Sequence, residues 1–184
     1  MLTNEINIRD PYVLVHNGSY YLYGTRSETC WGSAEGFDCY ISQDMEHWTG
    51  PVEIFRRPED FFATRNFWAP PIPFAEAEFG MKGDVYFTDG PCLFPMEDGK
   101  LYMTWSSWSN EGYAVGIAVS ENGDVKGPWK QQEEPIWPQN GGHGMVFQNL
   151  AGERYFVLHY PNDKTKERPC FKRLVLENGM IKLL

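Results

Sequence analysis

The sequence has 184 residues and a formal net charge of −9. Its length is enough for one domain with a sizeable core, and its negative charge argues against nucleic acid and anionic membrane as partners. Aromatic residues make up 16% of the chain, more than packing alone usually needs, and such side chains also stack on flat ligands such as sugar rings.

The hydrophobic runs and the cysteines indicate the cellular compartment in which the protein is expected. No apolar run approaches the roughly 20 residues that span a bilayer, and the first residues lack the basic and apolar regions of a signal peptide. The four cysteines (Cys30, Cys39, Cys92 and Cys170) have no metal-type spacing. We therefore predict free thiols in a cytoplasmic protein, with a Cys30–Cys39 bridge as the open exception.

The first predicted element is a hairpin that follows an aspartate. Residues 12–24 form two apolar runs around Asn17-Gly18, the strongest short-range hairpin signal. Proline restricts the residue before it to extended backbone, so Pro11 predicts extended geometry at Asp10. Asp10 is then held stiffly at the start of a strand. That placement suits a catalytic base, and it equally suits a structural aspartate at a strand end.

Units of four short strands recur along the chain. Further strands are predicted over residues 38–43, 50–55, 91–96, 101–106, 113–120, 144–147, 154–159, 171–176 and 180–181. The stretch from Ser42 to Gly50-Pro51 corresponds to the stretch from Ser120 to Gly127-Pro128. Four strands at a period of about 40–50 residues indicate a β-propeller, and no segment has a convincing helical period. An antiparallel sandwich is the competing architecture.

The middle of the chain breaks this pattern. The prolines within residues 66–74 exclude a central strand, and residues 75–84 are a poor strand. Only about twenty residues separate Trp68 from Asp89, too few for a full blade. We therefore predict an all-β, incomplete propeller with about three to four recognisable blades, forming a single domain over residues 1–184.

Four polar side chains stand beside predicted strand ends, namely Asp10, Asp89, His143 and Arg168. The innermost strands of propeller blades lie along the central channel, so residues at their starts converge near the axis. Two carboxylates there supply the acid and base of a glycosidase, which inverts when a water fits between them. A histidine on the axis holds a water or a hard cation. Structural interpretations remain open, since Asp89-Gly90-Pro91 is also an ordinary turn.

The tryptophans and the glycine-rich stretches bear on which class of ligand the chain could bind. Trp31, Trp68, Trp105 and Trp108 either pack in the core or form the floor of a sugar subsite. The glycine-rich stretches lack the order of phosphate-binding motifs, and the chain has no Gly-x-Ser-x-Gly elbow.

Taken in order, these motifs resemble glycoside hydrolase family 43. The matching segments are residues 7–11, 18–23, 67–70, 98–103, 141–145, 159–162 and 167–169. The resemblance implies a five-bladed propeller that hydrolyses arabinose- or xylose-containing glycosides by inversion. It implies Asp10 as the general base, Asp89 as the general acid, and a calcium ion or an ordered water near His143. The partner is then a carbohydrate, and the substrate-binding candidates are Trp31, Trp68, Trp108 and Arg168.

The sequence departs from the family pattern around the acid. The family has glutamate where Asp89 stands, and Glu97 is a nearby but poorer candidate. Pro71 stands where the family has an acidic residue, and the blade that should carry a third aspartate, which tunes and orients the acid, is deleted. Two alternatives follow. One is a non-catalytic, carbohydrate-binding or degenerate propeller, and the other is a partial propeller that pairs its open sheet edges with another copy.

Overall fold

The computed structural model describes residues 1–59, 89–109 and 112–184. Trp68, Pro71 and the proline-rich middle segment lie outside the described residues. Within the described ranges the only helical elements are two short 3₁₀ turns, Thr3–Glu5 and Ser27–Thr29. No helix in these ranges is long and apolar enough to cross a membrane. All other regular structure is antiparallel β-sheet.

The first sheet confirms the predicted hairpin. It contains, in this order, β1 (Ile8–His16), β2 (Ser19–Arg26), β3 (Gly36–Ser42) and β4 (Trp48–Arg56). Asn17 and Gly18 connect β1 to β2 with φ angles of 46° and 73°. A two-residue type I′ turn requires such a left-handed pair, and Asn-Gly adopts it readily. The strand β1 lies at one edge of this sheet.

The other two sheets have the same connectivity. The second contains β5 (Asp89–Pro95), β6 (Leu101–Ser109), β7 (Gly112–Ser120) and β8 (Trp129–Gln131), and the third contains β9 (Gly142–Gln148), β10 (Arg154–Tyr160), β11 (Arg168–Glu177) and β12 (Met180–Leu183). Separate four-stranded meanders are the repeating unit of a propeller, whereas a sandwich divides its strands between two sheets. The described residues thus form three blades of an incomplete propeller. Pairing of their open edges with another copy stays a prediction.

The predicted correspondence between the first two blades appears in their hydrogen bonds. The Ser42 hydroxyl donates to Asp44 Oδ1 at 3.0 Å, and the Ser120 hydroxyl donates to Asn122 Oδ1 at 2.8 Å. Each serine ends the third strand of its sheet. Short polar side chains that bond within a turn stabilise it locally. The repeat therefore has the same turn chemistry at the same position in both blades.

The first strands of the three sheets meet at the centre. The strand β9 packs against both β1 and β5, and β1 also packs against β10. Two clusters of buried apolar side chains fill the spaces between sheets, one containing Leu22 and Phe147 and the other containing Val115 and Phe156. Burying sheet faces against each other supplies the main favourable term in folding. It also fixes the inner strands close together.

The four cysteines are free thiols, as predicted, and Cys30 and Cys39 are not bridged. Both side chains are buried. Burial raises the pKa of the Cys30 thiol to about 11, because a thiolate is poorly solvated there. A thiol with so high a pKa is a weak nucleophile at neutral pH, so Cys30 serves as a small apolar side chain.

One fully buried side chain packs the last strand, β12, against the core. Ile181 on β12 belongs to the second core cluster. We expect Ile181→Val to lower the free energy of unfolding by about 0.5–1.5 kcal/mol, because it removes buried contacts without a compensating rearrangement. Urea denaturation measures this change. Met180→Leu, at the exposed neighbouring position, is the control, and equal effects of the two variants would contradict docking through Ile181.

Candidate active site

The same backbone distortion occurs on all three inner strands. The strand register shifts between Arg9 and Tyr12 on β1, between Asp89 and Cys92 on β5, and at the corresponding point of β9. At these points Asp10, Gly90 and His143 have φ angles of 51°, 57° and 47°. Bulges of this kind bend a strand and re-aim a side chain. Here they bring Asp10 and His143 into one cluster near the centre of the sheets.

The prediction of extended backbone at Asp10 is wrong. Its φ of 51° lies in the left-handed region, which aspartate tolerates better than most residues. The backbone N–H of Asp10 donates to Nδ1 of His159 at 3.4 Å. The bulge and the contact with β10 therefore outweigh the local preference that Pro11 imposes.

The two predicted carboxylates face one imidazole nitrogen. Nδ1 of His143 lies 3.5 Å from Oδ1 of Asp10 and 3.3 Å from Oδ2 of Asp89. These distances place the two carboxylate oxygens within about 7 Å of each other, while carboxyl groups are about 5–5.5 Å apart in retaining glycosidases and 6.5–9.5 Å apart in inverting ones. The pair is close enough for either mechanism, and inversion stays a prediction.

Cationic groups surround Asp10. Its Oδ1 lies 3.4 Å from Nδ1 of His159 and 3.6 Å from Nε of Arg9, and the Thr25 hydroxyl is 3.5 Å from Oδ2. Burial raises the pKa of Asp10, but contact with His159 and the charges of His143, His159 and Arg9 outweigh it, so the pKa lies below its usual value of 3.8. Asp10 is therefore a buried carboxylate that is held ionised.

His143 is fixed between the two carboxylates. Its backbone N–H donates to Oγ of Ser106 at 2.8 Å. Burial lowers the pKa of His143, but contact with Asp89 and the charges of Asp10 and Asp89 raise it more, so the pKa lies above its usual value of 6.5. The arrangement suits a protonated imidazole held between the two carboxyl groups.

The predicted calcium ion near His143 stays a prediction. Calcium takes six to eight oxygen ligands, whereas Nδ1 of His143 faces Asp10 and Asp89 at 3.5 and 3.3 Å. Among the residues that the structure describes, no group of three or more His, Cys, Asp or Glu side chains is arranged to hold a metal. The side chains around Nδ1 of His143 suit a protonated imidazole better than a bound hard cation.

Arg9 connects Asp10 to a second buried polar group. The Arg9 guanidinium donates to Oδ1 of Asn162 at 2.7 Å and lies 3.4 Å from Oε1 of Glu167. The Ser27 hydroxyl donates to the other oxygen of Glu167. Nε2 of His159 lies 3.2 Å from the same Oδ1 of Asn162. Because a guanidinium only donates, that atom of Asn162 is its oxygen.

Tyr113 holds the other carboxylate. Its hydroxyl donates to Oδ1 of Asp89, and its ring stacks on His159 with centroids 5.7 Å apart and an interplanar angle of 14°. Burial and the charge of Asp89 raise the pKa of Tyr113. The phenol therefore keeps its proton and remains a donor.

The described tryptophans among the predicted substrate-binding residues lie at the edges of this cluster. Trp31 is 50% exposed and its ring is 5.7 Å from the guanidinium carbon of Arg9. Trp108 is 57% exposed, with its ring centroid 5.3 Å from that of Tyr113. Each thus contacts a residue that touches one of the carboxylates. Their binding role stays a prediction, and Trp68 lies outside the described residues.

Arg168 has a different placement. Its guanidinium donates to the backbone carbonyls of Asn4, Thr165 and Glu167. These bonds tie the N-terminal 3₁₀ turn to the loop before β11, and Arg9 is the arginine that contacts the carboxylate cluster. A substrate-binding role for Arg168 stays a prediction.

Sequence reasoning assigned no role to Arg9, Tyr113, His159 or Glu167, although each contacts the site. Three of them lie in the segments that carried the family resemblance, directly before Asp10 or near the end of the chain. Tyr113 had no such signal, because an aromatic residue in an apolar strand pattern is indistinguishable from a core residue.

A cavity of about 640 Å³ opens beside the cluster. Asp10, Gly90 and His143 line it together with the aromatic side chains of Tyr23 and Phe37. Ligand-binding sites typically enclose about 300–1,000 Å³ and combine apolar walls with a few polar groups. The volume and the lining of this cavity are therefore consistent with a small-molecule site next to Asp10, while Asp89 lines a second cavity of about 450 Å³.

Solved structures show the same fold. A structure of an endo-arabinase from Bacteroides thetaiotaomicron aligns with 97% of this chain and 98% of its own, with a TM-score of 0.77 and 22% identity. A thermostable family-43 glycoside hydrolase aligns over 100% and 96%, with a TM-score of 0.69 and 19% identity. An endo-1,4-β-xylanase from the same Bacteroides species aligns over 97% and 94%, with a TM-score of 0.63 and 19% identity.

At these identities the likeness shows the fold. No family model matches the sequence, and no curated protein matches it either. The chain therefore has the propeller fold found in a family-43 glycoside hydrolase and in the two Bacteroides enzymes. Fold alone does not establish an activity, because one fold hosts many sites. Any activity of this chain depends on the carboxylate cluster.

Proposed function

We propose that this chain is a glycoside hydrolase with Asp10 as its general base and Asp89 as its general acid. The observation that carries the proposal is that both carboxylates face Nδ1 of His143 at the centre of the blades. A pair of aspartate or glutamate side chains is the usual machinery of glycoside hydrolysis. The substrate class is arabinose- or xylose-containing glycosides, in keeping with the structural neighbours named as an arabinase and a xylanase.

The base follows from the environment of Asp10. Its low pKa keeps it ionised, and the residue lines the cavity, although its Oδ1 is itself buried. The Asp10 carboxylate accepts a proton from a water that attacks the anomeric carbon. Asp89 gives its proton to the glycosidic oxygen as the bond to the leaving group breaks. If water attacks the face opposite the leaving group, the product has inverted configuration.

Activity assays test this proposal. We expect the wild-type protein to release sugar from an aryl α-L-arabinofuranoside, an aryl β-D-xyloside, arabinan or xylan, with the first product anomer inverted in ¹H NMR. Asp89→Asn should lower kcat about a hundredfold on unactivated substrates, within the range of one proton-transfer group. The loss should be smaller on aryl substrates with good leaving groups. Wild-type protein that hydrolyses none of these substrates would contradict the proposal.

Carbohydrate binding without turnover is the second candidate, and the contacts of Asp89 favour it. One oxygen of Asp89 accepts from Tyr113 and the other faces His143, whereas an acid needs an oxygen free to carry its proton to the substrate. Calorimetric titration with arabino- and xylo-oligosaccharides separates the two candidates. Affinity without turnover, weakened by Trp108→Ala, supports the binding protein. Turnover supports the enzyme.

A further inference from the structure

Tyr113 is a buried polar side chain that contacts groups on two other blade strands. It lies on β7 of the second sheet and is 1% exposed. Its hydroxyl donates to Asp89 on β5, and its ring stacks on His159 of β10 in the third sheet. His159 in turn contacts both the backbone N–H and the carboxylate of Asp10. One rigid side chain thus connects the environments of both carboxylates.

Neighbouring residues pack closely around the Tyr113 ring. A Cβ atom at Gly142 would overlap the Tyr113 ring, so the first residue of β9 has to be small. The backbone N–H of Gly141 donates to the carbonyl of Tyr113 at 2.9 Å, and the exposed ring of Trp108 packs against the Tyr113 ring with centroids 5.3 Å apart. A side chain packed on all sides has little rotamer freedom. Its hydroxyl therefore keeps one position relative to the carboxylate that it contacts.

We propose that Tyr113 is a positioning residue. Its hydroxyl orients the Asp89 carboxylate, and its ring fixes His159, and with it Asp10, at a constant position relative to Asp89. The catalytic meaning of this arrangement rests on the proposed glycosidase function. An acid on a short aspartate side chain has little reach, so its orientation matters more than that of a longer glutamate. Misplacing a reacting group by about 1 Å lowers a rate roughly a hundredfold.

Tyr113→Phe tests the hydroxyl, because it keeps the ring and the stack on His159. We expect kcat on unactivated substrates to fall about tenfold to a hundredfold with KM little changed. The loss should shrink as the leaving group of an aryl glycoside series improves, because a good leaving group needs less proton transfer. A uniform loss across the series, or no loss, would overturn the proposal, since a merely structural hydroxyl is indifferent to the leaving group.

Tyr102→Phe is the matched control. Tyr102 is also buried, at 3% exposed, and its hydroxyl donates to an aspartate, Oδ2 of Asp98, at 2.8 Å. It lies on β6 four residues before Ser106, which pairs with Asp89. Removing this hydroxyl deletes the same kind of hydrogen bond away from the carboxylate cluster. We expect a similar shift in melting temperature from both variants, with a change in kcat only for Tyr113→Phe.

A readout that needs no substrate separates this inference from the proposed function. The Tyr113 hydroxyl proton, shielded from solvent exchange and assigned by its absence in Tyr113→Phe, should give a ¹H NMR signal that shifts in Asp89→Asn. A shift in protein that hydrolyses no glycoside would support the positioning role and reject the glycosidase. A hydroxyl signal that is indifferent to Asp89→Asn would overturn the positioning role, whether or not the protein is active.

Discussion

Replacing Asp10 with asparagine is expected to lower kcat toward 10⁴-fold on every glycoside that the wild-type protein hydrolyses, the upper end of what a general base contributes. Asparagine has the same shape but no lone pair basic enough to take a proton from water. The loss should be the same for good and poor leaving groups, because each substrate needs the attacking water. That uniformity distinguishes the base from the acid at Asp89.

Asparagine is the appropriate replacement because of the backbone at this position. The φ of 51° at Asp10 lies in the left-handed region, where asparagine and aspartate are tolerated and alanine is strained. Asp124→Asn is the control, since Asp124 is an exposed turn residue whose Oδ1 accepts the backbone N–H of Lys126 at 2.8 Å. Activity within twofold of wild type for Asp10→Asn would reject Asp10 as the base.

The pH dependence of stability gives a second readout of Asp10→Asn. The folded pKa of Asp10 lies below its unfolded value of about 3.9. Its ionised form therefore contributes stability above about pH 4, and this contribution is lost as the pH falls through the folded pKa. The difference in unfolding free energy between wild type and Asp10→Asn should narrow below pH 4, and it should also narrow as the pH rises through the folded pKa of His143, which the charge of Asp10 raises. Urea titrations across this range measure it.

Local signals in the sequence predicted most of the strands. The Asn17-Gly18 turn has the left-handed φ pair that its residue types favour, and the turns after Ser42 and Ser120 have matching side-chain bonds. These features depend on residues a few positions apart. The alternation of apolar residues then decides which face is buried. The propeller could therefore be predicted from repeated local patterns.

The site was predicted less completely because its contacts are long-range. His143 and Asp89 are 54 positions apart, and Arg9 and Glu167 are 158 apart. No local pattern indicates which arginine or tyrosine reaches the carboxylates, so Arg9 and Tyr113 could not be assigned to the site from the sequence. The backbone at Asp10 shows the same limit, since contacts between blades outweigh the preference set by Pro11. Strand positions follow from neighbours in sequence, whereas side-chain partners follow from packing between blades.

The junction between the first and third sheets depends on a buried carboxylate. Glu167 is 1% exposed, and it lies 3.4 Å from the guanidinium of Arg9 and accepts from the Ser27 hydroxyl. Its backbone carbonyl accepts from the N–H of Ile8 at 3.3 Å. Arg9 of the first sheet and Ser27 of the 3₁₀ turn after β2 are thus both paired with one residue from the loop before β11. Removing the carboxylate leaves the Arg9 guanidinium and the Ser27 hydroxyl without that partner in a buried site.

Glu167→Ala is therefore expected to lower the free energy of unfolding by about 3–5 kcal/mol, the usual cost of removing one partner of a buried ion pair. Urea denaturation measures the loss, and Glu153→Ala, which removes an exposed partner of Arg173, should give no resolvable change. The double variant Arg9→Met/Glu167→Leu should recover much of the stability, because it leaves no unpaired charge. Its kcat should stay low even so, because Arg9 also lies 3.6 Å from Asp10. Recovery of stability and activity together would show that Arg9 and Glu167 join the blades without supporting the base.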